Sequence, residues 1–320
     1  MTLHPQSVAV LDLWSAGPSV ADPGFDLAAV HAQRALALRE AADEDREEVA
    51  SVVGVDAAGV PARLYRPLQP RTPGALVYAH GGGFVFGDLS IHDAQARRLA
   101  NRTGASVLAV GYRRPPEHRF PAAHDDVSAA ARWLAAEADG LGIDASALVA
   151  IGDSAGASLA LGAALRDPEL FAGIVLVYPF IDPRRRGGSF VTETDHGLSA
   201  EEARWYWQSY AGPEHCDGAT IVESLLADHE FCPLDSAHLG TLPPTLILVA
   251  EHDVLHDEAV LLHERITAAG GVSTKEHFPG MIHGFWRHPS LFDAAEDAYA
   301  RTTAFLRPLL NLDGGVRGHL

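Results

Sequence analysis

The pentapeptide GDSAG, residues 152–156, has a central serine flanked by two glycines and follows the apolar run ALVAI. Because glycine permits a tight turn and a close approach of strand to helix, Ser154 would project its hydroxyl from the carboxyl edge of a sheet. The unpaired N–H groups at the start of the following helix would point to the same place. This arrangement suits a serine that attacks a carbonyl carbon, although the pentapeptide alone also fits an ordinary turn.

A second glycine cluster, HGGGF at 80–84, directly follows the apolar run ALVYA. Acyl transfer develops negative charge on a carbonyl oxygen, and backbone N–H groups fixed in advance stabilise that charge. Three glycines permit such a loop because no side chain obstructs the approach. A phosphate-binding loop is the alternative, but no Lys-Ser/Thr pair follows and no G-x-G-x-x-G spacing fits. The cluster therefore predicts an oxyanion hole.

A base and an acid follow the serine in the chain. His283 lies in the glycine-containing segment FPGMIHGFW, and Asp253 ends the buried strand-like run TLILVAEHD. The order serine, acid, histidine is that of α/β-hydrolases, in which the histidine takes the serine proton and later delivers it to the leaving group. Asp257 and Glu258, one helical turn further on, are the competing acids. Asp253 is favoured because a carboxylate at a strand tip reaches an imidazole directly.

His252 and His256 are four residues apart, a spacing that a metal pair on a helix also has. No H-E-x-x-H pattern and no third ligand accompany them, so the sequence predicts neither a metal nor a cofactor.

Composition and charge limit the binding partners and the cellular location that we expect for this protein. The 320 residues carry a formal charge of −18, which disfavours nucleic acid because phosphates would be repelled. Cys216 and Cys232 form neither a disulfide framework nor a zinc spacing. The start MTLHPQSVAVLDLW lacks the basic region of a secretory signal, and the longest apolar run, 170–181, is far shorter than the roughly 20 residues that span a bilayer. We therefore expect a cytoplasmic protein.

Short apolar runs alternate with helical patterns along most of the chain. Continuous Val/Ile/Leu/Ala runs such as SVLAV, ALVAI and TLILVA are typical of strands buried on both faces. The alternation predicts an α/β fold with a mostly parallel central sheet flanked by helices. Residues 1–50 and 183–235 fall outside the alternation, and an insertion between core strands can form a lid. The tail DGGVRGHL, 313–320, is predicted to be mobile.

Six segments, in order over about 60–310, resemble the hormone-sensitive-lipase-like esterases, also called bacterial family IV carboxylesterases. The segments are HGGGFVFGD, GYRRPPEHRFPAAHDD, IGDSAGASLA, LVYPFID, AEHDVLHDE and FPGMIHGF. The resemblance implies the α/β-hydrolase fold, with Ser154 as nucleophile, Asp253 as acid and His283 as base. It also implies that the backbone N–H groups of Gly82, Gly83 and Ala155 form the oxyanion hole, while His80 and Asp153 shape the loop and the turn.

By the same resemblance, 1–50 and 183–235 would form a helical cap over a core made of 51–182 and 236–320. The aromatic residues expected near the acyl pocket are Phe84, Trp205, Tyr206, Trp207 and Tyr210, although those between 205 and 210 fit cap packing equally well. Two departures from the family pattern are the pair Arg114-Pro115, where Leu-Ala is usual, and Val254, where proline is common.

The function predicted from these residues is hydrolysis of small carboxylic esters, of short to medium acyl chain, through an acyl-enzyme. Amide, peptide or lactone hydrolysis by the same groups is one alternative. A non-catalytic ligand-binding member of the fold is another, although receptors that resemble this family lack the base, which here is His283. A metallohydrolase is the remaining alternative. Family members often pair through the last strand, so a homodimer is possible.

Overall fold

A central eight-stranded sheet carries the residues singled out above. The computed structural model describes residues 2–14, 19–42, 46–194, 196–218 and 220–312. Within these ranges the strands are β1 Ser51–Asp56, β2 Pro61–Arg66, β3 Ala75–Ala79, β4 Ser106–Val110, β5 Leu148–Asp153, β6 Gly173–Val177, β7 Cys216–Asp217, β8 Thr220–Ile221, β9 Thr245–His252 and β10 Ser273–Ile282. The predicted mobile tail, 313–320, lies outside the described residues.

Helices cover the sheet and also occupy the two segments that fall outside the sequence alternation. They are α1 Pro5–Trp14, α2 Leu27–Ala42, α3 Asp93–Thr103, α4 Ala122–Ala136, α5 Ala138–Leu141, α6 Ala155–Arg166, α7 Ser189–Thr192, α8 Ala200–Ala211, α9 Glu223–Leu226, α10 His256–Ala268 and α11 Asp293–Leu309. No helix in the described ranges is both long and apolar enough to cross a membrane.

The sheet order is β1-β2-β4-β3-β5-β6-β9-β10, and β7 pairs with β8 in a separate hairpin. β2 runs antiparallel to both β1 and β4, whereas the neighbours from β4 to β10 are all parallel. Every residue of β3, β5 and β6 is buried, as expected for strands covered on both faces. The predicted α/β fold with a mostly parallel sheet is confirmed.

Two apolar clusters lie on opposite faces of the sheet, because side chains alternate along each strand. In β3, Val77 faces the cluster that includes Leu134 of α4 and Leu159 of α6. Leu76 faces the opposite cluster, with Leu99 of α3. Both faces of the central strands are thereby covered, and this burial fixes where the strands end.

The parallel strands bring the candidate residues to one edge of the sheet. The residues that directly follow β3, β5, β9 and β10 are His80, Ser154, Asp253 and His283. Parallel strands share their carboxyl edge, so residues as far apart in the chain as 80 and 283 emerge side by side.

The segments 1–50 and 183–235 reach this edge from several directions. The hydroxyl of Ser7, in α1, donates to the carbonyl of Gly280 in β10 at 2.7 Å. Arg34, in α2, donates to the carbonyl of Val85 at 2.8 Å. α8 begins with a capping box in which the Ser199 hydroxyl accepts a hydrogen bond from the backbone N–H of Glu202. The contacts of Ser7 and Arg34 place the first segment beside β10 and the glycine loop, and Tyr206 of α8 lies beside Gly83 of that loop.

Candidate active site

Ser154 occupies a strained turn between β5 and α6. Its φ of 54° and ψ of −121° lie in a region that residues with a side chain rarely adopt. The turn is held from both sides: the Ser154 N–H donates to the carbonyl of Val177 at 2.9 Å, and its carbonyl accepts from the N–H of Phe180 at 3.2 Å. Such strain persists only where surrounding structure fixes it, and it is concentrated at functional sites.

The two glycines of GDSAG are required by close backbone packing. A Cβ on Gly152 would overlap the carbonyl oxygen of Gly156, and a Cβ on Gly156 would overlap the carbonyl oxygen of Ala79. The small residues therefore bring α6 against the ends of β3 and β5. The Ser154 side chain is consequently fixed at the helix start.

Ser154, His283 and Asp253 form a hydrogen-bonded line. The Ser154 Oγ lies 3.0 Å from Nε2 of His283, and Nδ1 of His283 lies 2.7 Å from Oδ2 of Asp253. Asp253 is buried, and its other carboxylate oxygen accepts the N–H of Leu255 at 2.9 Å. With a proton on Nδ1, the imidazole presents a free lone pair to the serine hydroxyl. This arrangement can transfer a proton from the hydroxyl to the imidazole.

The two competing carboxylates have other partners. Asp257 accepts the N–H of Ser189 at 3.0 Å and contacts Nδ1 of His256 at 2.9 Å. Glu258 accepts the N–H of Ile181 at 2.6 Å and is buried. Both carboxylates lie in the first turn of α10, and among the described residues neither has a hydrogen bond to His283.

The glycine loop after β3 leaves several N–H groups available. Gly82 and Gly83 have φ values of 116° and 59°, and the Gly82 carbonyl accepts the N–H of Phe86 at 2.7 Å. Within the described residues, the N–H groups of Gly82, Gly83 and Ala155 have no hydrogen-bond acceptor. The first N–H groups of an α-helix, such as that of Ala155, have no acceptor within the helix itself.

Asp153 joins the serine turn to the glycine loop. Its Oδ1 accepts the N–H of Gly81 at 3.0 Å and the hydroxyl of Tyr78 at 2.9 Å. Burial raises the pKa of Asp153 above its ordinary value, and the hydrogen bond from Tyr78 opposes that shift. The side chain lies beneath the loop and holds it.

His80 is a structural support of the same loop. Its ring stacks on Tyr112 at 4.3 Å and on His92 at 4.6 Å, and the Tyr112 hydroxyl donates to the His80 carbonyl at 2.7 Å. Burial lowers the pKa of His80 to about 3, so the ring is neutral at physiological pH. This placement agrees with the shaping position that the sequence predicts for His80.

The two departures from the family pattern lie close to the glycine loop and to Asp253. Arg114 donates to the carbonyl of Gly87, just after the glycine loop, and the carbonyl of Pro115 accepts from Arg34 of α2. Val254 is fully buried, and its carbonyl accepts the hydroxyl of Ser189 at 2.6 Å. Only the Arg114 contact with Gly87 uses a side chain that the usual Leu-Ala pair would lack, because the other two contacts are made by backbone carbonyls.

A cavity of about 250 Å³ opens at Ser154. Of the aromatic residues that the sequence places near an acyl pocket, Tyr206 lines this cavity. The expectation needs correction for the others: Phe84 is buried with its ring stacked on Tyr210 at 4.0 Å, and Trp207 is buried 4.6 Å from the ring of Phe180.

Trp205 also lies away from the cavity at Ser154. It packs edge-to-face on Phe25 at 5.6 Å and lines a separate cavity of about 380 Å³ between α2 and α8. Successive residues of an α-helix point about 100° apart, so three consecutive aromatic residues cannot share one face. Tyr206 faces Ser154, and its two neighbours in α8 therefore face elsewhere.

Several cavity residues have no counterpart in the sequence prediction. Tyr178 directly follows β6, has a φ of 36°, and lies 4.6 Å from the His283 ring. Tyr178 follows a buried strand within the motif LVYPFID, and this position predicts that it lies at the same edge of the sheet as Ser154. Trp14, His92 and Arg287 also line the cavity, but they come from distant elements and no local pattern identifies them.

The histidine pair considered for a metal does not form one site. Nδ1 of His256 contacts Asp257, whereas Nδ1 of His252 contacts Glu193 at 2.9 Å. His252 instead lies near His196, which contacts the same carboxylate oxygen of Glu193 at 2.9 Å. Two imidazoles and a carboxylate are groups that can hold a divalent transition metal.

Comparison with known proteins agrees with this architecture. A family model for the α/β-hydrolase fold matches residues 76–287. An ethyl acetate hydrolase of Pseudomonas putida is 37% identical over 93% of this chain and 96% of its own length. A carboxylesterase of Mycobacterium tuberculosis is 33% identical over 81% of this chain and 82% of its own length.

Solved structures give the same result. An ester hydrolase from the metagenome of Lake Arreo, in complex with a bipyridine phosphonate derivative, superposes with a TM-score of 0.82. It is 33% identical to this chain and covers 95% of it, and 98% of that structure is matched.

Proposed function

This chain belongs to the α/β-hydrolase family of carboxylesterases, and on that premise we propose that it hydrolyses small carboxylic esters through a serine-bound acyl intermediate. The observation that carries the proposal is the line from Ser154 Oγ to His283 Nε2, at 3.0 Å, and from His283 Nδ1 to Asp253, at 2.7 Å. A nucleophile, a base and a group that orients the base are the three parts that this chemistry needs.

In the first half of the proposed reaction, the Ser154 oxygen attacks the ester carbonyl carbon while His283 takes the hydroxyl proton. The carbonyl π bond becomes an oxyanion, which then collapses and expels the alcohol as His283 returns the proton to it. Asp253 holds the imidazole in the required tautomer and stabilises its positive charge. The products are the free alcohol and an ester of Ser154.

In the second half, water replaces the serine as the nucleophile. The water oxygen attacks the acyl carbon while His283 takes a proton from the water. When the second oxyanion collapses, the bond to the Ser154 oxygen breaks and the carboxylic acid is released. The proton on His283 returns to the Ser154 oxygen, so the enzyme regains its starting state.

The N–H groups of Gly82, Gly83 and Ala155 are the proposed donors to the oxyanion. Their lack of acceptors within the described residues supports this role, because a donor already paired inside the protein would have to exchange partners during the reaction. The Asp153 bond to Gly81 holds the loop that carries two of them. Loss of one such donor costs about 10²–10³ in turnover.

The size and lining of the cavity favour short acyl chains. Its volume of about 250 Å³ lies below the roughly 300–1,000 Å³ of common ligand pockets. Tyr206 and Phe180 are apolar walls, while Glu202 lines the cavity with both carboxylate oxygens engaged, one by the Ser19 hydroxyl and one by the Ser199 N–H. We therefore propose acetate to butyrate esters of small alcohols as the substrate class.

The test is a p-nitrophenyl ester series on the wild type and on Ser154→Ala, together with a reactive alkyl phosphonate. We expect a loss in kcat of about 10⁴–10⁶ in the variant and one phosphonate per wild-type chain, bonded at Ser154. Ser158→Ala is the matched control, since Ser158 is a buried serine one turn along α6 whose hydroxyl has no partner among the described residues. It should retain wild-type kinetics.

Other outcomes would select the alternative functions. Faster turnover of an anilide than of the matching ester would indicate an amide hydrolase. Ligand binding without turnover and without phosphonate labelling in the wild type would indicate a non-catalytic member of the fold. Near-wild-type ester hydrolysis by Ser154→Ala would overturn the assignment of the nucleophile.

Two further parts of the proposal concern assembly and location. β10 is an edge strand whose only strand partner in the sheet order is β9, so its free edge could pair with that of a second copy. Light scattering on the purified protein would report a dimer. A cytoplasmic location is supported by the two unpaired cysteines, Cys216 and Cys232.

The division into a core, 51–182 and 236–320, and a helical cap, 1–50 and 183–235, is proposed as well. α1 contacts β10 through Ser7, so the first segment of the proposed cap is anchored to the sheet of the core.

A further inference from the structure

Glu193, His196 and His252 converge at the end of β9, whose last residue is His252. One oxygen of Glu193 lies 2.9 Å from Nδ1 of His196 and 2.9 Å from Nδ1 of His252. The two imidazole rings meet edge to face with their centres 5.1 Å apart. One ligand atom from each of the three residues lies within 4.8 Å of the others.

These three groups have the chemistry and the spacing of a zinc site. Zn²⁺ binds imidazole nitrogen and carboxylate oxygen at about 2.0–2.2 Å, so tetrahedral ligands lie about 3.4 Å apart. The present 2.9 Å separations need to widen by only about half an ångström for an ion to enter. Two histidines with one carboxylate leave a fourth position for water.

A second, independent feature is the far nitrogen of His252. The residue is 7% exposed, and its Nε2 is buried with no hydrogen-bond partner among the described residues. The nearest acid is Glu251, whose Oε2 lies 3.9 Å from that nitrogen and accepts the N–H of Gly280 at 2.7 Å. A buried nitrogen without a hydrogen-bond partner costs free energy, so the metal-free arrangement leaves one polar atom of His252 unsatisfied.

A metal on Nδ1 would resolve that deficiency. Coordination through Nδ1 fixes the tautomer that carries the proton on Nε2, and a shift of the Glu251 carboxylate from its present 3.9 Å would let it accept that N–H. Histidine ligands usually donate their second ring nitrogen to a carboxylate or a carbonyl in this way. The contact between Glu193 and His252 alone cannot supply a partner for Nε2.

We propose that Glu193, His196 and His252 bind one Zn²⁺ ion, with Glu251 as the carboxylate that orients His252. The site is separate from the proposed ester hydrolysis and does not depend on it. Glu193 follows α7, and His196 precedes Gly197 and Leu198, both of which line the cavity at Ser154.

The ion would therefore connect the segment before α8 to the tip of β9. Because His252 directly precedes Asp253, zinc would hold one wall of the cavity against the strand that carries the proposed acid. We expect zinc to stabilise the fold, since an ion that binds only the folded chain raises the melting temperature.

The test is calorimetric titration of chelator-treated, dialysed full-length protein with zinc chloride. We expect saturable binding of one ion per chain, a zinc-dependent rise in Tm, and a visible Co²⁺ spectrum of the tetrahedral type when cobalt replaces zinc. Glu193→Gln and His196→Ala should each weaken zinc binding by about 100-fold or more, and Glu251→Gln by about 10–100-fold.

His256→Ala is the matched control, because His256 also contacts an acid at 2.9 Å but lies outside the cluster. It should bind zinc as the wild type does. Glu193 and His196 have partly exposed side chains, so their variants are expected to fold, and far-UV circular dichroism would check this.

Absence of saturable binding in the wild type would overturn the proposal, and so would wild-type affinity in both ligand variants. The three residues would then be a metal-free hydrogen-bonded cluster. Phosphonate labelling of Ser154 in the chelator-treated protein keeps this result distinct from a failure of the proposed function, since labelling needs no zinc.

Discussion

The Asp153 carboxylate accepts a hydrogen bond from the backbone N–H of Gly81 at 3.0 Å, and this bond joins the residue before Ser154 to the glycine loop. The same oxygen accepts the Tyr78 hydroxyl, so one buried atom fixes the end of β3, the turn after β5 and the loop between them. The spacing between the serine hydroxyl and the proposed oxyanion donors therefore depends on a residue that does not react.

Replacement of Asp153 tests whether its hydrogen bonds position the glycine loop. Asp153→Ala leaves the Gly81 N–H and the Tyr78 hydroxyl without a partner, and we expect kcat to fall by about 10²-fold because the loop shifts. Asp153→Asn keeps an acceptor oxygen and should retain most of the activity. Steady-state kinetics with p-nitrophenyl acetate would measure both. An alanine variant that folds and has the wild-type kcat would show that the bond does not position the loop.

Asp253 and Asp257, which are four residues apart, give a second comparison. Asp253→Asn should lower kcat by about 10⁴, because an amide holds the His283 ring in the wrong tautomer for accepting the serine proton. Asp257→Asn should change kcat little, since Asp257 contacts Ser189 and His256 instead. The kcat values of the two variants on one ester show which carboxylate orients His283. A large loss of kcat only in Asp257→Asn would assign that role to Asp257.

The sequence located the line of three residues because each directly follows a strand. Ser154, Asp253 and His283 come directly after β5, β9 and β10, and parallel strands end at a common edge. Continuous apolar runs identify β5 and β9 without reference to tertiary packing, whereas His283 is predicted from its order in the chain and its glycine-containing segment. The residue types at the ends then suffice to predict which side chains meet.

The pocket could not be predicted in the same way. Trp205, Tyr206 and Trp207 are consecutive in α8, and only the rotation of that helix decides which of them faces Ser154. That rotation is set by the packing of Trp207 against Phe180 and of Trp205 against Phe25, contacts between distant segments. The cluster of Glu193 and His252 likewise depends on the path of a loop, which no periodic pattern encodes.

Gly83 offers a test of the close approach between the glycine loop and α8. A Cβ at this position would overlap the Tyr206 ring, and the φ of 59° is unfavourable for alanine. We expect Gly83→Ala to lower kcat by about 10²-fold or more. In Gly83→Ala/Tyr206→Ala the steric overlap is gone, so kcat should recover in part. Equal kcat in the single and double variants would show that the overlap does not contribute.

Tyr206 should also set the acyl-chain preference. Its removal enlarges the cavity at Ser154, so Tyr206→Ala should raise kcat/KM for longer acyl chains relative to acetate, by up to about 10-fold per methylene. Trp205→Ala is the control, since Trp205 lines the separate cavity between α2 and α8. A p-nitrophenyl series from acetate to octanoate measures the profile. An unchanged profile in Tyr206→Ala would exclude this residue from the acyl wall.

Glu258 should make the stability of the fold depend on pH. Burial, together with the nearby Asp182 charge, raises its pKa well above the ordinary value of 4.5, while hydrogen bonds from the Ile181 and Asp182 N–H groups oppose the shift. The folded chain therefore binds this proton more tightly than the unfolded chain does. The stabilising contribution is complete below pH 4.5 and is lost as pH rises through the raised pKa.

Glu258→Gln removes this titration and keeps an oxygen that can accept the Ile181 N–H. We expect the free energy of unfolding of the wild type, relative to that of the variant, to fall as pH rises above 4.5 and through the raised pKa of Glu258. Urea unfolding at several pH values measures the difference. Glu264→Gln, at an exposed position of the same helix, is the control for replacing a glutamate of α10 by glutamine. If the free energy of unfolding of the wild type relative to Glu258→Gln stays constant with pH, or increases as pH rises, Glu258 does not have a raised pKa in the folded protein.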